Sequence, residues 1–164
     1  MDVAPLSQNH LSNARLFADR REMIIGLVGG KGGHIAEVGV AYGEFSEFMI
    51  SVVRPSRFYA FDLFELHKVP MIWGRPSSET FGDLTHEQYY RERISKRSQN
   101  CEISVLVGDS STNLKGVEDQ LDLIYIDGDH EIDGVRRDTY AAIEKLKSDF
   151  FKSSKIDIFE TTWR

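Results

Sequence analysis

The sequence predicts an α/β domain built on a doubly wound, mostly parallel sheet. Three observations carry that expectation. Apolar strand-like runs alternate with segments of helical periodicity through most of the 164 residues. A glycine-rich turn, Gly39 to Gly43, joins the first strand to the helix after it. Acids stand at the ends of successive strands, at Asp62, Asp109 and Asp127, and parallel sheets bind ligands outside those ends.

The elements follow in order. The first ten residues carry no pattern. A helix is expected over 12–28, with Leu16, Met23, Ile24 and Leu27 on one face and Gly29-Gly30 as its stop. His34 to Val40 reads as a buried strand. Gly43 opens a helix whose inner face is Phe45, Phe48, Met49 and Val52, and Pro55 ends it. Arg57 to Phe61 is the second strand. Residues 63–84, with Pro70, Gly74, Pro76 and Gly82, are irregular; long loops of this kind are functional or disordered, so a substrate lid and a disordered excursion both remain open. Thr85 and Gln88 form a capping-box pattern for a helix reaching about Arg97. Ile103 to Val107 is a third strand, Lys115 to Asp119 a short polar helix, and Leu121 to Ile126 a fourth strand. A last helix runs from about Glu131 to Lys147, with Val135, Thr139, Ala142, Ile143 and Leu146 as its buried stripe.

Composition bounds the function. The length fits one domain, 1–164, able to bury its own core. At 41% hydrophobic and 28% charged the chain is ordinary for a globular protein. A net charge of -6 lacks the basic footprint of a nucleic-acid binder and argues against anionic lipid. Arg91, Arg93, Lys96 and Arg97 cluster at helical spacing, as a solvated face does. One cysteine, Cys101, excludes an internal disulfide or a CxxC metal site. The longest apolar run, Met23 to Val28, is too short to span a membrane, and no signal peptide is visible. The expectations are a cytoplasmic protein, no nucleic-acid or membrane partner, a small-molecule ligand, and a homo-oligomer as an open option.

The strand ends decide the ligand class. The first strand runs Glu37-Val38-Gly39-Val40-Ala41-Tyr42-Gly43. A glycine there permits a sharp turn and a close approach, and the helix it opens presents backbone amides. A dinucleotide fold needs G-x-G-x-x-G, but Glu37 stands at the first glycine position and its carboxylate would repel a phosphate. A P-loop needs its lysine after the strand, whereas Gly30-Lys31 precedes it. An acid beside the turn suits a cationic ligand such as a sulfonium. Asp62, roughly twenty residues on, can accept hydrogen bonds from both hydroxyls of a ribose. Val107-Gly108-Asp109-Ser110-Ser111 is a turn with a helix cap on its own merits. The fourth strand runs apolar into Asp127, Asp129 and His130. Like charges that close raise a carboxyl pKa unless a cation sits between them.

These residues resemble a known family. E-x-G-x-x-x-G after the first strand resembles the S-adenosylmethionine motif of class I methyltransferases, a Rossmann-like fold. The resemblance implies that Glu37, Gly39, Ala41 and Gly43 surround the cofactor, that Asp62 holds its ribose, and that Asp109 and Ser110 lie against its adenine. The run Asp122-Leu-Ile-Tyr-Ile-Asp-Gly-Asp-His130, followed by Gly134-Val135 and Asp138, is similar to a macrocin-type or catechol-type O-methyltransferase branch that includes sugar O-methyltransferases. It implies that Asp127 contacts the cofactor and ligates a divalent cation, magnesium by its oxygen ligands. It also implies that His130 is the general base on an acceptor hydroxyl.

The resemblance spans roughly 12–147. The family then continues with a glycine turn and three more strands. Here Ile156 to Glu160 offers one short strand ending in an acid, and no sequence follows for the last two. The expectation is a chain lacking those two strands, with an incomplete metal site. Three functions follow: methyl transfer to a small-molecule hydroxyl, a sugar among the options; a truncated module that binds S-adenosylmethionine without chemistry; or a fold kept for association alone.

Overall fold

Helix α1 begins where Asp19 can cap it. The Asp19 carboxylate accepts hydrogen bonds from the Arg21 and Glu22 amides at 2.7 and 2.9 Å, and the helix runs Arg20–Val28. The computed structural model describes residues 15–96 and 100–147. Within them, residues 15–19 of the expected helix over 12–28 lie ahead of the helix that begins at Arg20, and Leu16, expected on its inner face, is fully exposed at 99%. The local cap outweighs the apolar periodicity upstream of it.

Strand β1 (His34–Val38) leads through the glycine turn to α2 (Glu44–Val53), and β2 spans Arg57–Asp62. The segment 63–84 carries short elements of its own. It holds a single 3₁₀ turn at Leu66–Lys68, a hairpin of β3 (Met71–Ile72) and β4 (Arg75–Pro76), and helix α3 (Ser77–Phe81). Trp73 and Gly74 form the hairpin's two-residue turn with φ +46° and +81°. Two positive φ values give the primed turn whose twist matches antiparallel strands.

Helix α4 (His86–Ser95) carries the expected capping box between Thr85 and Gln88. Strand β5 is Glu102–Val107 and α5 is Ser110–Gly116. This helix lies five residues ahead of the expected Lys115 start, because Asp109 caps it through the Thr112 amide at 2.8 Å. Strand β6 is Leu123–Ile126, with Leu121 left in an isolated parallel bridge to Leu146. Helix α6 is Ile132–Lys145, and it buries Gly134, Asp138, Ala141 and Ala142. Of the expected stripe only Ala142 is buried; Val135, Thr139, Ile143 and Leu146 are half-buried. The helix is turned so that Asp138 reaches Ser110 of α5.

The four long strands form one parallel sheet in the order β5-β2-β1-β6. Strand order reverses between β1 and β6. Helices cover both faces. Ile35, Phe58 and Ala60 face the core formed by α1, α2 and α4, while Ala36, Tyr59 and Phe61 face α5 and α6. The period-two alternation of a strand thus separates two cores, each apolar. The expected fifth strand, 156–160, lies outside the described residues. Among the described residues no helix is long and apolar enough to cross a membrane.

Candidate active site

The register of the sheet assembles the site. Val38 is level with Phe61 on one side and Ile126 on the other, and Asp62 is level with Val107. Gly39, Asp62, Gly108 and Asp127 therefore leave the sheet at one edge. There they line a cleft of about 620 Å³, within the range of small-ligand sites. Ala41, Asp109, Ser110, Asp129, His130 and Asp138 share its walls.

Gly39 is required by the protein itself. Its φ is +80°, and a Cβ there would stand 2.3 Å from the Asp127 carbonyl oxygen and 2.5 Å from the Gly128 Cα. The missing side chain lets the exits of β1 and β6 cross, where the sequence suggested room for a ligand. Gly43, with φ +82°, starts α2 and faces the Tyr90 ring, 3.0 Å from a would-be Cβ. It stands outside the cleft lining.

Asp62 points toward the glycine turn. One carboxylate oxygen accepts from the Val40 amide at 2.9 Å and the other from the Phe64 amide at 2.8 Å. Those bonds fix the carboxylate in the cleft wall, and each oxygen keeps a second lone pair that a ribose hydroxyl can use. Asp109 combines both roles considered for it. Hydrogen bonds from Thr112 and Ser111 cap α5 and hold its carboxyl below the usual range, while the residue lines the cleft. Ser110 donates to Asp138, whose carboxyl burial pushes upward.

Glu37 lies elsewhere. It is buried in β1, accepts a hydrogen bond from Ser46, and does not line the cleft. Tyr90 in turn donates to the Ser46 hydroxyl at 3.0 Å. Burial pushes the Glu37 carboxyl up to about 8, with the Ser46 bond offsetting part of the rise. It is mostly protonated at neutral pH and supplies little of the negative charge the sequence suggested for a cationic ligand. The native state holds this proton while an unfolded carboxyl near 4.5 has released it. The resulting stability is full below about pH 4.5 and is lost as pH rises through about 8. Glu37→Gln keeps an acceptor for Ser46 and removes that slope. Thermal melts across pH 4 to 9 (approximate limits set by the linkage window) then show a flatter Tm for the variant than for the unmodified chain.

His130 is exposed on the cleft wall. Asp129 beside it accepts from the Glu131 amide at 2.9 Å and packs so closely on α6 that a Cβ at Gly134 would lie 1.9 Å from its carboxylate. His86 has no signal in the sequence beyond following a capping threonine. It is fully buried, its Nε2 donates to the Ala41 carbonyl, and its Nδ1 has no hydrogen-bond partner and lies 4.0 Å from Asp62. It braces the turn at Ala41, where φ is +45°, against the carboxylate that faces the cleft.

The donor set does not fit a divalent cation. Asp127 accepts a charge-assisted hydrogen bond from Arg20 at 2.9 Å. Among the described residues no group of three or more His, Cys, Asp or Glu side chains converges on a metal position. The expectation of magnesium at Asp127 finds no support in this geometry. Glu160, the other acid considered, lies outside the described residues. The set does fit S-adenosylmethionine: a small-ligand cleft at the switch point, an aimed acid for the ribose, and an acidic lining for a cation.

Comparison with known proteins agrees with the geometry. An rRNA methylase of known structure from Streptococcus thermophilus matches with a TM-score of 0.53 and 12% identity, over 80% of this chain and 68% of that one. At that identity the likeness is one of fold. No curated protein matches the sequence. A family model described as a methyltransferase domain matches residues 36–150. With the cleft edge of all four long strands inside that span, the chain belongs to the methyltransferase-domain family, as a class I methyltransferase whose methyl donor is S-adenosylmethionine.

Proposed function

We propose that the chain methylates a hydroxyl of a small molecule, a sugar among the candidates, with His130 as general base. The observation that carries the reading is that one cleft brings His130 and Asp127 together with Asp62 and Asp109. S-adenosylmethionine supplies a methyl group on a sulfonium, and the acidic cleft favours that positive charge. As the acceptor oxygen gains its bond to the methyl carbon, the carbon–sulfur bond breaks with its electron pair left on sulfur. A ring nitrogen of His130 takes the hydroxyl proton, so the positive charge that the newly methylated oxygen would otherwise carry never builds up in full.

An RNA acceptor, as in the structural neighbour, is disfavoured by electrostatics. Six carboxyl-bearing residues line the cleft (Asp62, Glu65, Asp109, Asp127, Asp129 and Asp138) against Arg137 as the one arginine. A phosphate backbone needs the reverse. Besides Val38, Ala41 and Phe61 at the strand ends, the apolar part of the lining comes from Leu63, Leu66, Val69 and Trp73 of the 63–84 segment. Trp73 is 73% exposed at the hairpin tip and rests edge-on against Tyr42 at 5.0 Å. An indole offered to solvent beside a cleft is an acceptor-stacking surface, which favours the lid reading of this segment. We therefore expect Trp73→Ala to raise the acceptor KM roughly tenfold, the scale of one aromatic stacking contact, with S-adenosylmethionine affinity unchanged. Steady-state kinetics and calorimetry on the same protein separate the two.

Cys101 is buried and its thiol is pushed up to about 11 by that burial, so it is unreactive. A cytoplasmic location belongs to the same reading. The experiment that tests it is mass detection of methylated product from a panel of sugar and phenolic hydroxyl acceptors. Product on any hydroxyl supports the proposal; binding of the donor with no product on any acceptor favours a module without chemistry.

A further inference from the structure

We propose that Arg20 is the resident counter-cation of the cleft edge: it positions Asp127 where the sequence resemblance puts a divalent metal, and the chain binds its donor without one. The inference rests on reading the cleft as the S-adenosylmethionine site. Arg20 lies ahead of the matched family span, in a helix that spans none of the strand-end motifs. Three elements hold its guanidinium. Asp19 fixes the start of α1, so that Arg20 is the first residue of the helix. The guanidinium carbon sits 4.5 Å over the Phe45 ring of α2. Its Nη1 donates to Asp127 Oδ2 at 2.9 Å and to the Tyr125 hydroxyl at 3.4 Å, both at the end of β6.

The geometry has two consequences. The side chains are 35% and 18% exposed, so the pair is shielded more than a surface pair is. A charge-assisted bond braced by an aromatic face keeps the Asp127 carboxylate in one position on the cleft wall. A magnesium ion demands near-octahedral oxygen ligands at about 2.1 Å. A guanidinium already bonded to the same carboxylate repels that ion and takes up its ligand.

The test uses the whole chain and two independent readouts. Free Mn²⁺ is followed by electron paramagnetic resonance as protein is added. S-adenosylmethionine is titrated calorimetrically, with EDTA or with millimolar Mg²⁺, into the unmodified chain, Arg20→Ala, Arg20→Lys, Asp127→Asn and the Arg20→Ala/Asp127→Asn double variant. The expected result is no saturable Mn²⁺ uptake and a donor affinity indifferent to EDTA. Arg20→Ala weakens donor binding roughly tenfold, the scale of a hydrogen bond to a charged group. Arg20→Lys recovers most of it, and the double variant is no weaker than Asp127→Asn alone, because the two residues act as one unit. Saturable Mn²⁺ binding that disappears in Asp127→Asn overturns the proposal. So does full donor affinity in Arg20→Ala, or additive losses in the double variant. If Arg20→Ala does not fold, Arg20→Lys and the Mn²⁺ titration still decide. If the unmodified chain binds no donor, the reading of the cleft falls, while the Mn²⁺ titration still judges Arg20.

Discussion

Replacing His130 by alanine lowers turnover about a hundredfold or more, the usual contribution of a positioned general base. The imidazole stands on the cleft wall, exposed, just past the Asp127-Gly128 exit of β6. Its removal leaves no buried group unpaired, so the fold and donor affinity stay intact. The loss appears in kcat with the KM of S-adenosylmethionine unchanged, the pattern of an interaction made only in the transition state. Single-turnover assays with a methyl acceptor measure it directly. Turnover equal to that of the unmodified enzyme contradicts the assignment of His130 while leaving the fold and the cofactor cleft standing.

Asp62→Ala acts on binding instead. On the proposed reading, the substitution removes the acceptor for the ribose hydroxyls; it also leaves the Val40 and Phe64 amides without their partner. Donor affinity falls by about 1.5–3 kcal/mol, the scale of hydrogen bonds to a charged group, or roughly ten- to a hundredfold in Kd. Because the lost bonds also anchor the glycine turn, Tm falls as well. Asp62→Asn keeps one carbonyl acceptor and lies between the two in both measurements. Calorimetry and a thermal melt on the three proteins check the ordering; an Asp62→Ala chain that binds S-adenosylmethionine as tightly as the parent removes Asp62 from the site.

Strand identity was legible in the sequence, because fully buried parallel strands read as continuous apolar runs between helical segments. Asp62, Asp109 and His130 were legible for a related reason: polar residues directly after such runs have nowhere to go but the sheet's edge. Helix starts were less legible. Asp19 and Asp109 each cap a helix, but an acid before a helical pattern looks the same whether it caps or binds, and only the Thr112 and Arg21 amides distinguish them. The Trp73-Gly74 turn carried a hairpin signal of the X-Gly type, masked by the prolines around it. Glu37 was misleading in its charge, because its partner Ser46 and the burial that protonates it depend on how α2 packs over β1. Gly39 stands at the cleft as expected, and it also permits a close approach that the sequence did not show, that of Asp127 and Gly128. Arg20 could not be found at all from spacing. It lies far from Asp127 in sequence, and only the docking of α1 on Phe45 and Tyr125 brings the charges together.

The most direct test of the account is a calorimetric titration of S-adenosylmethionine into the unmodified chain. The expected result is saturable binding at a single site, weakened in Asp62→Ala and competed by S-adenosylhomocysteine, which shares the donor's ribose and adenine. A titration that shows no saturable heat, with the protein folded by circular dichroism, contradicts it.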